Sequence, residues 1–205
     1  MSDETERLIV SLGAELRPVT PLQPPAMRAL AFLLLVATLA AWPVLRLSNL
    51  PLFAQRASDP RMALECAASL LTGVVATLAA FHLSVPGRAG RWSLAPLAPL
   101  ALWIAAAGAG CLRHGVGRAN WDCVAFVLVT GIPLSLILMA FLRRARPLAP
   151  VPVALTGGLG AAGIAAFLLQ FFPPFDVTVM DLLLHTVAVL GVLAAARSFG
   201  HRALR

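Results

Sequence analysis

The sequence predicts an all-α, polytopic membrane protein, a bundle of six transmembrane helices preceded by a short amphipathic helix. Of the 205 residues, 60% are hydrophobic and 12% are charged, and the mean hydropathy is +0.86. A soluble domain carries about 25% charged residues, so composition argues against a water-soluble fold. The net charge of +7 comes from 16 arginines scattered between apolar runs. That arrangement is typical of charges that orient membrane helices, and we expect no direct contact with nucleic acid.

Residues 3–16 predict the short helix that precedes the bundle. Asp3 and Glu4 stand at its start, where the helix dipole favours negative charge. Its apolar residues recur at helical spacing and form one stripe: Leu8, Ile9, Leu12 and Leu16. Since a helix of about 14 residues is marginal alone in water, the stripe needs a partner. The bilayer surface, the chain's own loops and another protein are the three choices. Acidic residues outnumber Arg7 here, which disfavours an anionic leaflet and favours a protein partner.

Six apolar windows are long enough to cross a lipid bilayer, for which about 17 to 25 residues are needed. They are Ala29–Leu45, about Leu64–Val85, Trp92–Leu112, Cys123–Leu142, a helix within Pro147–Phe175, and about Val177–Ala196. In the fifth window, Gly157 and Ala161 place small residues four apart, a spacing that permits close helix packing. We therefore expect an N-terminal tail over residues 1–28, a transmembrane domain over 29–197 and a C-terminal tail over 198–205.

The arginines predict that both ends of the chain lie in the cytoplasm. An even number of spans puts the two termini on one side. With the termini inside, eleven of the 16 arginines are on inner segments and five on outer ones, as the positive-inside rule requires. The turn over residues 143–146 contributes three of the eleven. Residues 1–27 are too polar for a signal peptide, so we expect this tail to stay in the cytoplasm.

Residues capable of chemistry gather at the predicted outer face. Cys111 closes the third span and Cys123 opens the fourth, so both thiols should lie near one depth. An oxidising compartment would make a disulfide between them geometrically plausible, and a soft metal ion could also bind them. Further candidates for a sensing or structural role at this face are Cys66, Glu65, His114, Asp181 and His185.

Most of these candidates have a purely structural interpretation of comparable weight. Asp181 and His185 stand at i and i+4 and can simply orient the sixth span. Cys66 lies beside two alanines and is more often a packing residue than a ligand. The sequence contains no metalloprotease, P-loop or nucleophile-elbow motif. We therefore expect no enzymatic activity and no cofactor, and the sequence assigns no metal.

A series of short elements runs along the chain in a specific order and spacing. They are Leu8-Ile9, Pro18-Val19, Leu22, Arg28, Asp59-Pro60-Arg61, Glu65, Thr72-Gly73, Ala79-Ala80-Phe81, Val85-Pro86-Gly87, Leu102-Trp103, Gly110-Cys111-Leu112, Trp121, Cys123, Arg143-Arg144-Ala145-Arg146-Pro147, Gly157-Gly158-Leu159, Asp176, Met180-Asp181 and His185. In these elements the chain resembles the NrsF family of membrane anti-sigma factors over nearly its whole length.

The resemblance implies a bacterial inner-membrane protein whose cytoplasmic N-terminus holds an extracytoplasmic-function sigma factor. The partner-binding residues would be Leu8, Ile9, Leu12, Leu16, Pro18 and Val19. It also implies that paired outer cysteines, by position Cys111 and Cys123, respond to oxidant or heavy-metal stress. One departure is visible at residues 173–175, where the family often has a His-Pro pair and this chain has Pro-Pro-Phe. A metal role for that histidine therefore does not carry over.

Two other functions stay open on the residues alone. A quinone-coupled thiol oxidoreductase would use Cys111 and Cys123, but such enzymes usually need two cysteine pairs and this chain has three cysteines. A small proton-coupled transporter would use Asp181 and His185, but the first three spans show no repeat in the last three.

Overall fold

Long apolar stretches bounded by prolines and arginines fold as helices in the computed structural model. It describes residues 3–14, 21–87, 90–114, 121–172 and 179–203, without the side chains of 110–114, 181 and 201–203. The described helices are α1 (Asp3–Ala14), α2 (Pro25–Leu47), α3 (Leu50–Ala57), α4 (Pro60–Leu83), α5 (Leu97–His114), α6 (Trp121–Arg143), α7 (Pro150–Leu169) and α8 (Val179–Ala203). A 3₁₀ turn covers Gly90–Ser93, and no strand occurs within the described ranges.

Six of these helices, α2 and α4 to α8, are long and apolar enough to cross a membrane. The predicted all-α membrane bundle is thereby confirmed. Helices α2, α4 and α7 begin with a proline, namely Pro25, Pro60 and Pro150. A proline is tolerated in the first turn because the backbone N–H that it lacks would have no partner within the helix. Because the sequence windows counted apolar residues, they start the second span at Leu64, four residues after the helix begins. None of the six predicted windows covers α3, which lies between the first and the second.

The centre of the bundle is the pairing of α4 with α7, which glycines bring into backbone contact. A Cβ on Gly163 would lie 2.8 Å from the backbone nitrogen of Gly73, and one on Gly160 would lie 3.0 Å from that of Thr77. No side chain larger than hydrogen fits between the helices at these points. The small residues of the fifth window thus do pack closely on neighbouring helices, although Gly157, named in the prediction, approaches Met139 and Leu138 of α6 and not α4. Helices α6 and α8 complete the core around the α4–α7 pair.

The first transmembrane helix, α2, packs along one half of its length. Its buried residues run from Pro25 to Val36, and no residue of the helix beyond Val36 is buried. The remaining half exposes large apolar side chains such as Leu39, Trp42 and Leu45, as a lipid-facing helix does. Contact with α4 and α6 is therefore concentrated where the helix leaves the N-terminal tail.

The helix ends gather at two ends of the bundle. We call tail end the one that holds the start of α2, residues 84–87 and 90–96, and the turn over residues 144–149. We call far end the one that holds α3, the end of α5 and the start of α6. At the tail end, Trp92 stacks on His82 with ring centroids 4.0 Å apart, which holds the 3₁₀ turn against the end of α4.

Candidate functional site

A crevice of about 460 Å³ opens between α5 and α8, with α7 behind it. The crevice exists because α5 packs mainly on α4 and only lightly on α8. Its walls are largely apolar, and Trp103, Leu182 and Val189 are among the side chains that line them. Polar residues come together at its far end: Arg56, Glu65, Gln170 and His185.

Glu65 is the most deeply buried of these polar residues, at 4% exposure. The amide nitrogen Nε2 of Gln170 donates to its Oε1 at 3.4 Å. Its other oxygen, Oε2, is buried and accepts no hydrogen bond from the described residues. The sequence named Glu65 as a candidate for a sensing or structural role, but it missed Gln170, whose polar side chain directly follows Leu169, the last residue of α7.

A layer of aromatic side chains at the far end positions the polar residues. Phe53 on α3 stacks on Phe171 with ring centroids 4.3 Å apart, and Phe171 meets Phe167 edge-on at 5.4 Å. Phe126 and Phe172 approach to 5.3 Å. These contacts hold α3 against the end of α7, which places Arg56 at the crevice beside Glu65. Neither α3 nor the role of Arg56 was predicted from the sequence.

The cysteines occupy different environments. Cys123, in the first turn of α6, is 1% exposed, belongs to the main hydrophobic core and lines the crevice. Cys66 on α4 is 8% exposed, and Ser69 donates a hydrogen bond of 3.0 Å to its backbone oxygen. Cys111 lies in the last turn of α5, at the same end of the bundle as Cys123. Its side chain is outside the described residues, and so is that of His114.

The sixth transmembrane helix contributes His185, which is half-buried and lines the crevice. The side chain of Asp181, its predicted partner, lies outside the described residues. Among the residues that the structure describes, no three His, Cys, Asp or Glu side chains come together as a metal site would require.

The N-terminal helix α1 displays the apolar stripe predicted for it. Leu8, Ile9 and Leu12 are 57%, 55% and 58% exposed, and no residue of α1 is buried. On its polar surface Arg7 and Asp3 form an exposed ion pair of 2.9 Å. Three further predicted binding residues, Leu16, Pro18 and Val19, lie outside the described residues.

A buried arginine ties the start of α2 to the tail end of the bundle. Arg28 is 7% exposed, and its Nη2 donates to the backbone oxygen of Phe141 on α6 at 2.8 Å. Its guanidinium carbon lies 5.1 Å from the ring centroid of Phe81 on α4, within the range of a cation–π contact. The sequence presents Arg28 as an orienting charge and as one element of the family resemblance. Its contacts with α4 and α6 were not predicted, since an arginine at a helix end usually reaches into water.

The NrsF family model, described as negative regulator of sigma F, matches residues 12–205. The match begins within α1 and takes in the whole bundle. No curated protein and no solved structure matches the chain.

Proposed function

The chain belongs to the NrsF family and is a negative regulator of a sigma factor, and on this premise we propose that it is a membrane-bound anti-sigma factor. Its sigma factor would be of the extracytoplasmic-function type and would be held at the membrane by α1 and the residues that follow. Oxidants or heavy metals acting on Cys111 and Cys123 would release it. The family match favours this function over a thiol oxidoreductase or a proton-coupled transporter.

The observation that carries the docking proposal is the exposed stripe of α1. Leu8, Ile9 and Leu12 lie on one side of the helix, and each exposes more than half of its surface. Docking on the chain's own loops would bury part of this helix, yet none of its residues is buried. Burying one leucine-sized side chain contributes about 1.5–3 kcal/mol, before the cost of ordering the helix on binding.

The charge of α1 supports a sigma factor as the partner. Asp3, Glu4 and Glu6 stand against Arg7 in the helix. A protein that binds DNA carries a basic surface that contacts phosphates. An acidic helix with an apolar stripe complements such a surface, and charge complementarity speeds association and selects the partner. The same acidity disfavours an anionic lipid surface.

Docking requires the tail end to face the cytoplasm of a bacterial inner membrane. Among the arginines whose side chains the structure describes, those at the tail end of the bundle outnumber those at the far end, six to three. Those at the tail end are Arg28, Arg91, Arg143, Arg144, Arg146 and Arg197, and those at the far end are Arg46, Arg56 and Arg61. The positive-inside rule associates the richer end with the cytoplasm.

Helix α6 offers a route from the cysteines to the tail. Cys123 lies in its first turn, and Phe141, whose backbone oxygen binds Arg28, lies near its last. A shift of α6 caused by chemistry at Cys123 would therefore move the acceptor that holds the start of α2. The tail that carries α1 continues directly from that point.

The experiment that tests docking compares two exposed positions of α1. The full chain is purified in detergent, and its affinity for the sigma factor that co-purifies with it is measured. Leu12→Asp removes an apolar contact and brings a charge into the interface, so we expect the Kd to rise at least about 100-fold. Val10→Asp is the matched control, because Val10 is 71% exposed and lies off the stripe. Equal binding by Leu12→Asp and the wild type would refute the docking role.

A further inference from the structure

The crevice between α5 and α8 has its own route to the lipid. Three of its lining residues, Leu97, Ile104 and Leu190, are 51%, 54% and 58% exposed. They lie on the two helices that border the gap, so the crevice opens sideways between spans. A molecule dissolved in the bilayer can enter it without crossing water.

The volume and walls of the crevice fit a hydrocarbon chain. Its volume of about 460 Å³ lies within the roughly 300–1,000 Å³ of small-molecule sites. Away from the far end, the residues that line the crevice are apolar except for Ser93, Thr156 and Thr186. A hydrocarbon chain between these walls would be stabilised by dispersion contacts with their apolar side chains.

The far end of the crevice presents an unmet requirement for a hydrogen-bond donor. Glu65 is 4% exposed and lines the crevice, and no described residue donates to its buried Oε2. Gln170 donates to Oε1, so the carboxyl group is held in place while Oε2 has no donor among the described residues. Since a buried acceptor without a partner is costly, a hydroxyl placed at Oε2 would stabilise the site.

We propose that this crevice binds a membrane-soluble amphiphile whose hydroxyl head donates to Glu65 and whose hydrocarbon tail lies between α5 and α8. The site is distinct from the sigma-factor surface on α1. Its test therefore succeeds or fails independently of the proposed function.

The test uses two photoreactive probes that differ in one hydrogen-bond donor. The full chain in lipid nanodiscs is illuminated with a diazirine-bearing hexadecanol or with its methyl ether, and labelled residues are mapped by mass spectrometry. We expect the alcohol to label residues such as Trp103 and Leu182 about tenfold more than the ether does, the ratio set by one hydrogen bond. In Glu65→Leu the two probes should label the crevice equally.

Two further variants test where the hydrocarbon tail of the amphiphile binds, and they leave Glu65 unchanged. Leu190→Trp fills the crevice from its lipid side, whereas Val187→Trp changes a residue of the same helix that is 61% exposed and does not line it. We expect the alcohol to lose its crevice label in the first and to keep it in the second. Equal labelling of the wild type by alcohol and ether, or labelling unaffected by Leu190→Trp, would reduce the crevice to a gap filled by bulk lipid and overturn the proposal.

Discussion

Substituting Gly163 with alanine should separate the central helix pair. The added Cβ would lie 2.8 Å from the nitrogen and 2.9 Å from the Cα of Gly73, and 3.2 Å from the backbone oxygen of Ser69. All three atoms belong to the backbone of α4, so no side-chain rotation relieves the clash. The two helices must move apart along the contact that forms the centre of the bundle.

The loss of stability in Gly163→Ala can be estimated from the cost of overpacking, and Gly108→Ala provides a matched control. Forcing a methyl group into a packed interior costs about 1–3 kcal/mol. Gly108→Ala adds the same methyl group within α5, where a Cβ meets nothing within 4 Å. Since alanine is favoured over glycine in a helix by about 0.5–1 kcal/mol, Gly108→Ala should be stabilising. We therefore expect the two variants to change the free energy of unfolding in opposite directions.

Unfolding in mixed micelles of mild detergent and dodecyl sulfate, followed by circular dichroism, measures this difference. The midpoint should fall to a lower dodecyl sulfate fraction in Gly163→Ala and rise slightly in Gly108→Ala. Equal midpoints would show that α4 and α7 do not pack backbone against backbone, and the arrangement of the core would then be wrong.

Two further predictions concern signalling. Arg28→Leu removes a charged hydrogen bond worth about 1.5–3 kcal/mol, so we expect target genes to lose their response to oxidant while sigma-factor binding persists. Arg144→Leu, at an exposed arginine, is the control. An intact response in Arg28→Leu would rule out the route along α6 from Cys123 to Arg28. Cys111→Ser and Cys123→Ser should each abolish transcription induced by dichromate or cadmium, whereas the control Cys66→Ser should retain it. Unchanged induction in both Cys111→Ser and Cys123→Ser would refute the thiol mechanism.

The transmembrane architecture was predictable because hydrocarbon imposes a length and a composition on every span. The stripe of α1 was predictable because helical periodicity survives without tertiary contacts. The crevice was not, since it arises where α5 fails to pack closely on α8, and a gap between helices leaves no local pattern. The contacts of Arg28 and Gln170 were missed for the related reason that their partners lie on other helices. Cys123 was expected at the outer face, whereas the structure places its side chain in the hydrophobic core, at the far end of the bundle.

The tight and loose contacts of the bundle determine which helix can carry a signal. The α4–α7 pair is fixed by glycines in backbone contact, so a shift there would break the core. By contrast α5 packs lightly on α8 and α2 packs along half of its length. Helix α6 joins the two loose regions, because Cys123 lines the crevice and Phe141 binds Arg28. An amphiphile in the crevice and an oxidant at Cys123 would thus act on the same helix, and each should alter the effect of the other.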